Sequence, residues 1–264
     1  MRFFLFFLFL LPALSGSAQI LNIENVRLNP DSTRYLAGNL SANFSLSNRT
    51  AAANEPIEFL GVNTRFNLAY VANKHLFLLL NRYDYLRINE APFNNFFYAH
   101  FRVNFLHQNR LSPEVFSQYQ FDFLRGLDNR LLGGAGARYA LLSEPKVSLA
   151  YGLGAMYEQE EWRLPGSEDS LRRTTNFAKA SQYISFGYQL NASTSFDLVC
   201  YHQFGYDPDF SVVRHRINGD VQLTFTLIKN LKFNVNFTAA YETAPVIPIT
   251  KFIYNISNGV QYNF

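Results

Sequence analysis

The residues with most chemistry to offer are ionisable side chains that recur at every second position of alternating segments. They are Arg65, Arg82, Asp84, Arg102, Asp122, Arg130, Arg138, Glu158, Glu160, Lys179, Asp197, Arg214, Arg216, Asp220, Lys232 and Lys251. Fixed charges of both signs on one surface can line a path for a solute. They can also pair and close the space they share, because buried charges persist mainly when paired. Both signs occur in similar number, which favours the paired, mostly closed arrangement. A hydrolase would need a nucleophile with a base in reach. Of the five histidines, His75 and His107 sit at turns, His100 and His215 sit mid-strand, and His202 falls on an apolar face. None has a Ser at the next-but-one position, so no catalytic residue is assigned. Glu158, Glu160 and Glu161 approach a long connection and could hold a cation, yet no metal-ligand set is complete. No metal or cofactor is expected. Gly133, Gly134 and Gly136 lack the Lys and the following helix of a phosphate cradle.

The elements that must position these charges are strands. Side chains alternate faces along a strand with period two, and that period recurs about twelve times. The segments are Leu36 to Ser47, Ile57 to Tyr70, Leu76 to Arg87, Phe97 to Phe105, Val115 to Phe123, Leu131 to Leu141, Val147 to Tyr157, Lys179 to Tyr188, Ser195 to Phe204, Val213 to Phe225, Leu231 to Tyr241 and Phe252 to Phe264. In the fourth, Phe97, Ala99, Phe101, Val103 and Phe105 oppose Tyr98, His100, Arg102 and Asn104. In the tenth, Val213, Ile217, Val221, Leu223 and Phe225 oppose Arg214, Arg216, Asn218, Asp220 and Gln222. The third segment and the stretch around Glu114 are ambiguous, so ten or fourteen strands are the neighbouring even counts. Prolines 56, 92, 113, 145, 165, 208, 245 and 248 are expected in connections, as uninterrupted ladders require. Gly134, Gly136, Gly152 and Gly154 fall inside strands and leave room in a crowded interior.

The chain carries 27 Phe and 16 Tyr but one Trp. A soluble domain of this size would struggle to bury so many rings, whereas a lipid-facing surface with aromatic girdles would use them. Tyr70, Tyr139, Tyr188, Tyr262 and Phe264 fall at one rim of the apolar faces, and Tyr83, Tyr85, Tyr157, Tyr241 and Tyr254 near the other. After the leader, no segment reaches the length of apolar helix that a bilayer needs. A closed barrel is then the remaining way to satisfy the backbone in lipid. The expected fold is all-β: a transmembrane antiparallel β-barrel of about twelve strands with both termini periplasmic. Connections after odd-numbered strands are longer than most of those after even-numbered ones, the asymmetry of outer-membrane barrels.

Residues 1–18 read as a cleaved leader, with Arg2, an apolar run from Phe3 to Leu11, and Gly16, Ser17 and Ala18 before the cut. Residues 19–34 read as a short periplasmic segment and 35–264 as the barrel. A single cysteine, Cys200, excludes an intrachain disulfide. Lys and Arg total 23 against 20 Asp and Glu, which argues against a nucleic-acid partner. Val260, Tyr262 and Phe264 share one face of the last strand and look like the carboxy-terminal signal read by the outer-membrane assembly machinery.

Three stretches carry a family resemblance. They are Glu114 to Gln120, Leu131 to Tyr139 with its Gly133, Gly134 and Gly136, and Gly152 to Glu158. Together they resemble the uncharacterised family of salt-induced outer-membrane proteins. The resemblance implies a single barrel with a cleaved leader and location in the bacterial outer membrane, and it carries no catalytic residues over. The expected role is an outer-membrane barrel of structural or narrow-channel type, not an enzyme. Outer-membrane lipid, the assembly machinery and a small solute or ion are its expected partners. A lipid-modifying outer-membrane enzyme and a soluble periplasmic lipocalin-like binder are the alternatives.

Overall fold

A computed structural model describes residues 35–52, 55–164, 171–229 and 231–262. The expected leader and the segment 19–34 lie outside the described residues. The chain forms one sheet of twelve strands, each paired antiparallel with its sequence neighbours. They are β1 (Tyr35–Ala52), β2 (Glu55–Ala72), β3 (His75–Ile88), β4 (Ala91–Phe105), β5 (Leu111–Asp122), β6 (Leu127–Glu144), β7 (Val147–Arg163), β8 (Arg172–Asn191), β9 (Thr194–Asp207), β10 (Val212–Ile228), β11 (Leu231–Glu242) and β12 (Phe252–Tyr262). The all-β antiparallel class and the count of twelve are as expected. The third segment and the stretch around Glu114 are each a full strand. Among the described residues no ladder joins β12 to β1.

We call the end where β1 begins and β12 finishes the lower end. Four of the five lower connections span two residues, and the fifth is 106–110. At the upper end, 164–171 and 243–251 are the long ones, and a 3-10 turn (Phe123–Arg125) joins β5 to β6. Phe123, expected to close the fifth strand, belongs to that turn. Asp122 stops the strand by accepting a hydrogen bond from the Arg125 N–H (3.3 Å). Gly126, at φ 76°, ends the turn.

Three prolines depart from expectation. Pro56, Pro92 and Pro113 lie in the first residues of β2, β4 and β5 rather than in connections. Strand ends tolerate the missing N–H. At Pro92 the β3–β4 register also slips, from Leu86↔Asn94 to Arg87↔Pro92.

The alternation separates two faces. Leu131, Leu153, Tyr157, Ile184 and Val213 are exposed on the outward face, with Leu153 at 56%. Of the rings expected at the rims, Tyr70, Tyr139, Tyr188, Tyr241 and Tyr254 are exposed as well. The inward face buries charges such as Arg130, Glu158, Glu160, Arg214 and Arg216, so the sheet is hydrophobic outside and polar inside there, the reverse of a soluble barrel. Contacts between distant strands show that it rolls up. A side chain of β4 meets β9 (Arg102 with Tyr201), and side chains of β7 meet β10 (Glu158 and Glu160 with Arg216). Part of the interior is apolar. Leu76, Leu78 and Leu80 of β3 pack with Ala69 and Val71 of β2 and with Tyr98.

Glycines make room for two inward rings. A Cβ on Gly152 would overlap the Tyr183 ring, and one on Gly134 would stand 2.6 Å from Phe116 Cζ. The crowded interior expected from these glycines is what β6–β8 show.

Candidate functional site

The upper half of the interior holds an ion cluster built by six adjacent strands, β6 to β11. Glu158 and Glu160 alternate on β7 and point inward. Arg130 reaches them from β6, Lys179 from β8, Arg214 and Arg216 from β10. Asp207 of β9 and Glu242 of β11 complete it. Arg216 Nη1 lies 2.9 Å from Glu158 Oε2, and its Nη2 lies 2.6 Å from Glu160 Oε1 and 3.1 Å from Glu242 Oε1. Arg130 Nη2 stands 2.6 Å from Glu160. Arg214 contacts Glu160 and Asp207, each at 3.1 Å, and also Glu242. Lys179 pairs with Glu158. All eight residues are buried.

Four cations therefore meet four anions, and each side chain has at least one opposite partner. That neutrality is what a dry interior demands, since an unmatched buried ion costs several kcal/mol. Chemically the cluster is a closed brace. Each carboxylate is engaged by guanidinium or ammonium donors, so none stands as a free base or ligand. Aromatic faces support the cations: Lys179 Nζ lies 4.7 Å from the Phe177 ring centre, and Arg130 lies 5.9 Å from that of Trp162.

Above the cluster the interior is capped by hydrocarbon. Trp162 is fully buried and packs with Leu127, Val246 and Ile247. Its indole N–H donates to Glu160 Oε2 (3.2 Å), which ties the cap to the ions. Val246 and Ile247 belong to the β11–β12 connection, which folds inward instead of standing off the rim. Arg173 holds it by donating to the Val246 carbonyl (3.1 Å). Gly126 is required here. A Cβ would sit 3.1 Å from the Arg163 carbonyl and 3.2 Å from Ile247 Cδ1, in a conformation that already favours glycine. Arg125 in the 3-10 turn lies 6.0 Å from the centre of the Trp162 ring. Burial, with help from the Arg130 charge, lowers its guanidinium pKa below the ordinary value.

A second cross-link spans the interior lower down. Arg102 of β4 donates to the Tyr201 hydroxyl of β9 (3.3 Å) and lies 3.7 Å from Glu114 of β5. Tyr183 of β8 donates to the same Glu114 (3.0 Å), and so does Asn104 (2.8 Å). Between this bridge and the cluster lies a chamber of about 390 Å³.

Of the charged residues expected on the inward face, the structure gathers Arg130, Glu158, Glu160, Lys179, Arg214 and Arg216 into one cluster. Arg102 lies in the lower bridge. Arg65, Arg82 and Asp84 form a separate group on β2 and β3. There Asn63 donates to Asp84, Arg82 stands 2.5 Å from it, and Arg65 sits across from Arg82 in register. Asp122 caps the 3-10 turn. Arg138 and Asp197 are buried on β6 and β9 apart from the cluster. Asp220 faces the chamber. Lys232 follows the expected inward parity on β11, and Lys251 is exposed just before β12.

Reading the sequence missed Asp207, Glu242, Glu114 and Trp162. Extending the parity of Glu158 and Glu160 by one step reaches Trp162, and extending that of Asp197 reaches Asp207, so the signal was present. Glu161, grouped with its neighbours as a cation site, lies on the opposite face. Asn129 donates to it (2.6 Å), and Arg172 stands 3.0 Å from it. Among the described residues no group of three or more potential ligands could hold a metal. His202 and His215 stack on the outward face at 5.3 Å, with a nitrogen–nitrogen approach of 3.0 Å. His100 is buried in the chamber wall. Val260 is exposed on the outward face of β12, while the Tyr262 side chain and Phe264 lie outside the described residues.

Among solved structures the chain is similar to the NanC porin at 8% identity, over 88% of this chain and 100% of that one, with a TM-score of 0.46. No curated protein matches it in sequence. The family model for the protein of unknown function DUF481 matches residues 60–257. Its description does not include the salt-induced designation that the resemblance suggested. That match spans β2 to β12 and both cross-links of the interior, and the chain belongs to this family of proteins of unknown function.

Proposed function

We propose that the protein is an outer-membrane β-barrel of structural or narrow-channel type, without catalysis, whose interior is occluded at its upper, extracellular end. One observation carries this reading. Eight buried charges, four of each sign, brace β7 against β10 and β11 directly beneath a cap formed by Trp162, Val246 and Ile247. A wide aqueous pore would keep such charges hydrated and separated, whereas here they neutralise one another. The exposed outward face supports the membrane setting, because its apolar side chains need lipid against them. The strands also reach or exceed the roughly nine to eleven residues that a tilted crossing requires. Outer-membrane lipid and the assembly machinery are the partners that follow, with a small solute or ion where a narrow path remains. The resemblance to salt-induced outer-membrane proteins adds to the location and nothing to the chemistry.

Reconstitution into a planar bilayer tests the occlusion. The wild-type protein is expected to give no steady conductance steps. A variant that removes Val246 and Ile247 together with the Glu160 brace is expected to give them. Steady, wide steps from the wild type would overturn the closed interior.

A further inference from the structure

The chamber between the two cross-links contains a carboxylate that no cation among the described residues pairs with. Asp220 of β10 is 9% exposed, yet among the described residues no hydrogen bond or ion pair engages its carboxylate. The other carboxylates around the chamber have cations beside them. Glu114 has Arg102, Glu242 has Arg214 and Arg216, and Asp122 has Arg125, from whose backbone N–H it also accepts a hydrogen bond. Lys251 also lines the chamber. It lies just before β12, four residues from Asn255, which shares a register row with Thr238 and Asp220. At a strand rise of about 3.3 Å per residue, that is ~13 Å away, too far to serve as the counter-ion.

The chamber already shows how it holds a cation. The Arg102 guanidinium lies 5.3–5.9 Å from the ring centres of Phe116, Tyr183 and Tyr201, with Glu114 as its carboxylate. Asp220 lines the same space with Tyr98 and Tyr201 in the wall, so carboxylate and aromatic surface recur there without a protein cation. A carboxylate beside aromatic rings is the combination that recognises ammonium groups. The volume, about 390 Å³, falls in the range of small-molecule pockets. Ile253 and Asn255 line the chamber and are exposed, so it opens along the inner side of β12.

We propose that this chamber is a binding site for a small organic cation, an alkylammonium or quaternary ammonium, with Asp220 as the counter-charge and aromatic rings as the wall. The inference goes beyond the occluded-barrel reading. It is tested on full-length protein in detergent, where conductance plays no part, so either can fail alone. Choline and butylammonium are titrated by calorimetry against 3,3-dimethylbutan-1-ol, the uncharged counterpart of choline. The expected result is saturable binding of the cations, at least tenfold weaker binding of the alcohol, and at least tenfold loss in Asp220→Asn with an unchanged heat-shift on a gel. Equal binding of choline and the alcohol to the wild type would overturn the proposal, and needs no variant. So would unchanged binding in a folded Asp220→Asn protein, or no saturable binding of either cation.

Discussion

Arg216 of β10 and Glu160 of β7 stand 2.6 Å apart across the inside of the sheet, although 56 residues separate them in sequence. Two strands lie between their own, so the contact exists only because the sheet rolls over on itself. Glu160 also receives Arg130 and Arg214, and accepts from Trp162. It is the point at which the brace and the cap meet.

Glu160→Ala is expected to destabilise the folded barrel by about 3–5 kcal/mol, because it leaves four buried cations facing three carboxylates. Urea unfolding followed by the loss of the heat-shift measures this. A change below about 1 kcal/mol would show that water reaches the cluster.

The exposed pairs set the contrast. Arg172 contacts Asp128 (3.2 Å) and Glu161 (3.0 Å) with its side chain 55% exposed. Arg172→Ala is expected to cost about 0–1 kcal/mol in the same assay, since surface ion pairs contribute little.

Trp162 is the single tryptophan, so its fluorescence reports the cap alone. The wild type is expected to emit in the blue and to resist quenching by iodide. Val246→Asp places a charge against the indole and is expected to shift the emission to the red and admit the quencher. Ready quenching of the wild type would mean that the cap stands open.

Gly152→Val puts a side chain where the Tyr183 ring lies. Tyr183 must then move and release Glu114, and overpacking of this kind costs typically ~1–3 kcal/mol. Gly219, with nothing within 4 Å of an added Cβ, is the control. Gly219→Ala is expected to change unfolding by well under that amount.

Much of this was legible in the sequence, and the reason is periodicity. The alternation of Phe97 to Phe105 or of Arg214 to Asp220 fixes which side chains share a face, because strand geometry has a period of two. All twelve strands follow from it. Pairing across the interior was not legible. Periodicity says that Glu160 and Arg216 both face inward, but their contact depends on the roll of the sheet, which no local pattern encodes. The same holds for Asp220, whose distance from Lys251 depends on the registers of β10, β11 and β12. The inward fold of the 243–251 connection also escaped. Val246 and Ile247 sit among prolines in a segment without alternation, and only the finished cavity explains why they are buried.

The claim beneath all of these is that the apolar outward face, with Leu153 and Leu131 exposed on it, meets lipid. Cell fractionation with a heat-shift gel tests it most directly. The account predicts that the protein is recovered with the outer membrane, needs detergent to dissolve, and runs faster before boiling than after. Recovery as a folded monomer in buffer without detergent, with no change in mobility on heating, would contradict it.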